Sequence, residues 1–164
     1  MDPLVTLSAR LGEALLKHEY ILSLAESCTG GMASSLITEI AGSSAWFDCG
    51  FVTYSNAAKQ KMLGVSTQTL EQYGAVSEET ALEMALGAIN HSQANIAGSI
   101  TGIAGPSGGT INKPVGTVCF AWIIQGKEAK TATHHFNDGR HGNRQQATLT
   151  LLNGLIDLIN HDHK

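Results

Sequence analysis

Charge is scarce in this chain. Only 15% of its 164 residues are Asp, Glu, Lys or Arg, and the formal balance is −4. A general nucleic-acid binder would carry a basic face, so no nucleic-acid partner is expected, although a local basic cluster can still serve one small anionic ligand. Long apolar runs are missing too: none approaches the roughly 18 to 20 residues that span a bilayer. Met1-Asp2-Pro3-Leu4 lacks the basic-then-apolar pattern of a signal peptide. A cytoplasmic protein with no membrane partner is the expectation. Cysteine is sparse, and Cys28, Cys49 and Cys119 form an odd set without metal-ligand spacing. Reduced thiols are the simplest reading, with no metal or cofactor expected. His161-Asp162-His163 is one of two histidine clusters, and it falls in a tail expected to fray. There is no internal repeat, low-complexity segment or linker, so residues 1–164 read as one domain.

What is present is apolar content of 43% with 18 glycines, the balance of a loop-rich α/β domain. Sparse charge also fits a surface partly covered by a second subunit, so a homo-oligomer is expected. Asp2 can cap a helix that begins at Pro3 and carries Leu4, Leu7, Leu11 and Leu15 on one face. Tyr20 to Leu24 reads as a buried strand, leading through Ser27-Cys28-Thr29-Gly30-Gly31 into a helix from Met32 to Ile40. A second strand is expected over Trp46 to Tyr54, and a short helix over Asn56 to Met62 ending at Gly64. Ser77 can cap a helix with Ala81, Met84, Ala85 and Ala88 inward. Ile96 to Thr101 reads as a third strand, and Gly116–Ile124 with Ala129–Phe136 as a hairpin. The last helix is expected from Asn143 to Asn160. Alternating elements with a late hairpin predict a three-layer α/β/α fold around a mixed sheet.

Three segments can carry chemistry. A strand–turn–helix layout presents backbone N–H groups to a ligand. Ser27 in that turn is a nucleophile candidate, with the amides of Cys28, Thr29 and Gly30 as oxyanion donors; equally, it can simply cap the helix. Cys28 is the rival nucleophile, or a buried structural thiol. No histidine stands in an obvious context to serve as base. Tyr54 at a strand end and Lys59 one turn into the next helix are the alternative, since strand ends gather at one crevice. Lysine acts as a base only when desolvation or a nearby cation makes it neutral; otherwise Lys59 is an ordinary surface lysine. Ser99 to Gly109 is a glycine-rich loop with neither a Walker sequence nor a Gly-x-Gly-x-x-Gly fingerprint. It can approach an anion closely or serve only as a crossover. Arg140 and Arg144 suit a phosphate or carboxylate, or solvent.

Together these segments resemble the CinA C-terminal-domain family, whose enzymatic members are nicotinamide-nucleotide amidases. The matching stretches are Ala25-Glu26-Ser27-Cys28-Thr29-Gly30-Gly31, Ala41-Gly42-Ser43-Ser44, Tyr54-Ser55-Asn56 with Lys59, and Gly74-Ala75-Val76-Ser77. Gly102-Ile103-Ala104-Gly105-Pro106 through Gly108-Gly109, then Lys113-Pro114-Val115-Gly116-Thr117-Val118, complete the set. Their order and spacing hold from about residue 5 to residue 160.

The resemblance implies hydrolysis of the carboxamide of nicotinamide mononucleotide to nicotinate mononucleotide and ammonia. It implies Ser27 as nucleophile and Tyr54 with Lys59 as the proton-handling pair. Cys28, Thr29, Gly30, Asn56, Thr101, Gly102, Ala104 and Gly105 are implied to line the substrate, with Arg140 and Arg144 at its phosphate. The position before Arg144 is Asn143, where the family leads one to expect a branched apolar residue. Competing readings are a non-catalytic nucleotide binder and a serine amidase for another nucleotide amide.

Overall fold

The computed structural model describes residues 2–164. In chain order its elements are α1 (Pro3–Lys17), β1 (Leu22–Glu26), α2 (Met32–Thr38), β2 (Phe47–Val52), α3 (Asn56–Leu63), α4 (Thr67–Tyr73) and α5 (Glu78–Asn90). β3 (Ile96–Gly102), β4 (Thr117–Ile124), β5 (Lys130–His135) and α6 (Gly139–Asp162) follow. The strands form one sheet in the order β2-β1-β3-β4-β5. β1 runs parallel to both β2 and β3, while β4 and β5 return antiparallel. This is the three-layer α/β arrangement with a mixed sheet.

Side chains alternate across a strand, and the two faces have different chemistry. Leu22, Leu24, Ile96, Ile100, Phe120 and Trp122 meet α1, α2 and α6 in the larger apolar cluster. Ala25, Ala97 and Ala121 face α5, whose own Ala81, Ala85 and Ala88 are buried with them. Ser99 on that face donates its hydroxyl to the Ala81 carbonyl at 2.5 Å, so the polar group is satisfied inside the layer.

The caps follow local chemistry. Asp2 accepts from Leu4 N–H at 2.9 Å ahead of Pro3. Ser55 accepts from Ala58 N–H, and Ser77 from Thr80 N–H; Gly64 ends α3 at a φ of +72°. α4 has no counterpart in the sequence reading. It buries no residue and so carries no apolar stripe to find; Ser66 caps it, accepting from Thr69 N–H.

Four expectations need correction. β1 starts and ends later than Tyr20–Leu24, because Tyr20 lies in a turn, with Glu19 at a φ of +59° and Tyr20 N–H donating to Leu15 O. The strand takes in Glu26 because Val52 and Ile100 flank it on both sides. Ser27 does not cap α2: the residue at that position is Gly31, and Met32 opens the helix. α6 begins at Gly139, ahead of the expected Asn143. Gly142 is tolerated inside it because any Cβ there would collide with the Asp138 side chain, and Asn143 bonds back to Asp138 N–H. Finally, the tail is not frayed. α6 runs through Asp162, whose carboxylate accepts from Tyr20 Oη at 2.7 Å and pairs with Lys127, while the His163 ring stacks on His18 at 3.7 Å.

Candidate active site

β1, β2 and β3 all end at the same sheet edge, and β4 begins there, with Gly102 opposite Val118. The chain leaves β1 toward β2 on one side and later places β3 on the other, so the end of β1 is a switch point, where α/β sheets open a crevice. Four loops and the first turn of α6 surround it. The resulting cavity, of about 360 Å³, is lined by Ser27, Cys28, Tyr54, Asn56, Lys59, Thr101, Gly102, Ala104, Gly105 and Arg140. Segments up to 113 residues apart in sequence thus converge on one volume. A larger groove of about 690 Å³ between α5 and the β4–β5 hairpin contains none of these residues.

Ser27 continues the β1 ladder for one step, its N–H donating to Ile100 O at 3.0 Å. It is 6% exposed, and its hydroxyl has no hydrogen-bond partner among the described residues. The turn behind it is held by Glu26, a residue to which the sequence reading gave no role. The Glu26 carboxylate is fully buried and accepts four bonds: from Thr29 Oγ1 at 2.6 Å, Ala33 N–H at 3.0 Å, and both N–H and Oγ of Ser34 at 2.9 and 2.7 Å. It therefore does at the start of α2 what Gly31 has no side chain to do, and its charge sits at the positive end of the helix. The available signal was an acidic residue closing a mostly apolar strand.

Lys59 is 2% exposed and has no carboxylate partner among the described residues. Its ammonium nitrogen reaches only the backbone carbonyl of Tyr54, at the long limit of 3.5 Å. Burial pushes the amine below the ordinary lysine range, opposed weakly by the neighbouring Cys28 thiol. Removal from water penalises the charged form most, so Lys59 is poised toward the neutral amine that can take a proton. Burial acts on Cys28 in the other sense, pushing its thiol up to about 11. At neutral pH that sulfur is protonated and a poor nucleophile.

Tyr54 is 62% exposed at the cavity mouth. Its phenol oxygen accepts from Arg140 Nη2 at 3.2 Å, so the contact of this residue with Lys59 runs through its main chain. Thr101 donates its hydroxyl to Ala75 O at 2.7 Å, tying the end of β3 to the segment before α5. Three expected ligand residues lie elsewhere. Arg144 sits behind the turn, donating Nε to Cys28 O and Nη2 to Thr29 O, both at 3.0 Å. Gly30 faces that same side, and its N–H donates to Ser27 O at 3.0 Å. Thr29 is fully buried behind the turn. The two arginines are therefore separated: Arg140 lines the cavity and Arg144 braces its wall.

A model of the CinA C-terminal domain matches residues 4–159. The chain belongs to the CinA C-terminal-domain family. It is 53% identical over 143 residues to the nicotinamide-nucleotide amidohydrolase PncC of Enterobacter agglomerans, covering 87% of each chain. With the protein of the same name from Escherichia coli K12 it shares 51% over 152 residues, 93% of this chain and 92% of that one. Among solved structures, the competence/damage inducible protein CihA from Agrobacterium tumefaciens superposes with a TM-score of 0.92. Sequence identity there is 46%, over 96% of this chain and 95% of that chain.

Proposed function

We propose that this chain is a nicotinamide-nucleotide amidohydrolase that converts nicotinamide mononucleotide and water to nicotinate mononucleotide and ammonia. The observation that carries the chemistry is the buried, unpaired Lys59 sharing one cavity with the unbonded hydroxyl of Ser27. The substrate follows from relatives that carry that name at over half identity along nearly their full length.

The reaction runs in two halves. Neutral Lys59 takes the Ser27 proton as Oγ attacks the carboxamide carbon, and the amide C–N bond then breaks. The nitrogen leaves as ammonia with a proton returned by Lys59, and a nicotinoyl ester remains on Ser27. Water, deprotonated by the same amine, cleaves the ester and restores the hydroxyl. The pyridinium ring of the substrate makes the carbonyl more electrophilic and opposes a second cation beside it, which shifts Lys59 in the same direction as its burial does. Of the three turn amides, Gly30 N–H is taken by Ser27 O and Thr29 lies behind the turn. Cys28 N–H, which has no acceptor outside its own residue among the described residues, is assigned to the oxyanion. Arg140 at the mouth is the cation for the phosphate.

Ammonia release from nicotinamide mononucleotide tests the proposal. Wild-type chain should turn over, and Ser27→Ala should lower the rate by about 10³-fold or more while its melting curve stays in place. Ammonia release by Ser27→Ala at near wild-type rate would remove the covalent scheme. A wild-type chain that binds the nucleotide without releasing ammonia would leave a binding module.

A further inference from the structure

The loop after β3 is held from behind by a side chain that the reaction does not use. Asn143, in the first turns of α6, is 2% exposed. It donates Nδ2 to Ala104 O at 3.0 Å and accepts from Asp138 N–H through Oδ1 at 2.9 Å. The partners fix the orientation of the amide, because a backbone N–H needs the oxygen and a carbonyl needs the NH2 group. One turn earlier, Arg140 donates Nη1 to Gly105 O at 2.7 Å. Two consecutive carbonyls of the loop are thereby turned toward α6.

A trans peptide points its N–H opposite to its C=O. With Ala104 O drawn to Asn143, the Gly105 N–H is directed away from α6. That N–H has no acceptor among the described residues, although Gly105 is buried and lines the cavity. Buried amides without partners are rare in native proteins, and an oxygen atom of a ligand is the partner the geometry lacks. Gly105 is bonded directly to Arg140, the guanidinium at the cavity mouth, so the free amide stands at the end suited to an anion.

We propose that Asn143 is a positioning residue that aims Gly105 N–H at a phosphate oxygen of the substrate beside Arg140. The identity of the substrate rests on the amidohydrolase reading; the orientation of the amide does not.

The test is calorimetric titration of the full chain with nicotinate mononucleotide and with its unphosphorylated nucleoside, for wild type, Asn143→Ala and Asn143→Asp. The aspartate keeps an acceptor for Asp138 N–H but sets an oxygen against Ala104 O, so the bond at the helix start survives it, while the neutral Asn143→Ala separates lost positioning from the added charge. Both variants should bind the mononucleotide about tenfold more weakly and the nucleoside as wild type does. KM for nicotinamide mononucleotide should rise with kcat retained. Wild-type affinity in Asn143→Asp, or an equal loss on both ligands, would overturn the inference. Binding is read without turnover, so Asn143-dependent phosphate preference in a chain that releases no ammonia would sink the amidase reading and uphold this one.

Discussion

The two ends of the sheet treat their lysines in opposite ways. At the edge where β1 begins, Tyr20, Asp162, Lys127 and His163 close on one another: the phenol donates to the carboxylate and meets the His163 ring, and the ammonium pairs with the other carboxylate oxygen. Lys127 is 55% exposed and yet has its partner. At the edge where β1 ends, Lys59 is 2% exposed and has no carboxylate among the described residues, only the Tyr54 carbonyl at 3.5 Å. A buried amine without a counter-charge costs stability, and a fold keeps one where a ligand or reaction uses it. The first edge ties its charges to one another, and the second leaves the amine that the proposed reaction would use.

The comparison can be broken most sharply at Lys59. Replacement by Met removes the base and should reduce ammonia release by about 10³-fold or more. The same change removes an unpaired amine from the interior and should raise stability by about 1 kcal/mol, read as a melting temperature higher by roughly 2–4 °C. Loss of activity accompanied by a clear loss of stability would mean that Lys59 is a structural residue.

Glu26 tests whether the wall behind Ser27 is as closely satisfied as the opposite edge. Glu26→Gln turns an NH2 group on donors that need an acceptor, and should cost about 2–3 kcal/mol. The melting temperature should fall by roughly 5–10 °C, and turnover should fall with it. An unchanged melting curve would show that the four bonds do not hold the turn.

At the paired edge, Tyr20→Phe should lower stability by about 1–2 kcal/mol and leave kcat untouched, as assay and denaturation run side by side would reveal. Alkaline titration separates the two edges by sign. Lys59 has a depressed folded pKa, so between that value and about 10.4 the unfolded chain binds more protons and stability rises with pH. Tyr20 is held up to about 12 by burial and its bond to Asp162, so from about pH 10 to 12 the unfolded chain loses the proton first and stability falls. Lys59→Met should abolish part of the rise and Tyr20→Phe part of the fall; a shared profile for both variants would erase the distinction. The smallest change is expected for Cys28→Ala, which should retain most of its turnover because the thiol is already protonated.

Much of this was legible in the residues. Caps at Asp2 and Ser77 announced their helices, and apolar runs located β1 to β4 to within a few residues, because those signals are local. Ser27, Tyr54, Lys59 and the Gly102–Gly105 loop were singled out together on the strength of the family resemblance. The burial of Lys59 was beyond reach, since a Lys in a short helix looks the same whether it faces water or a cavity. Glu26, Asn143 and the separation of Arg140 from Arg144 were hidden for a similar reason: each depends on which backbone carbonyl or amide lies opposite, and no spacing encodes that. α4 was missed because it buries nothing.

Glu26 and Ser27 are chain neighbours with opposite duties, one clamping α2 beneath the sheet and the other open to the cavity above it. Extended backbone assigns alternate residues to alternate sides, so this division depends on the parity of β1. Inserting or deleting one residue between Leu22 and Glu26 would exchange the two, placing a hydroxyl under the helix and a carboxylate in the cavity. Length along that strand is therefore as constrained as any side chain in it.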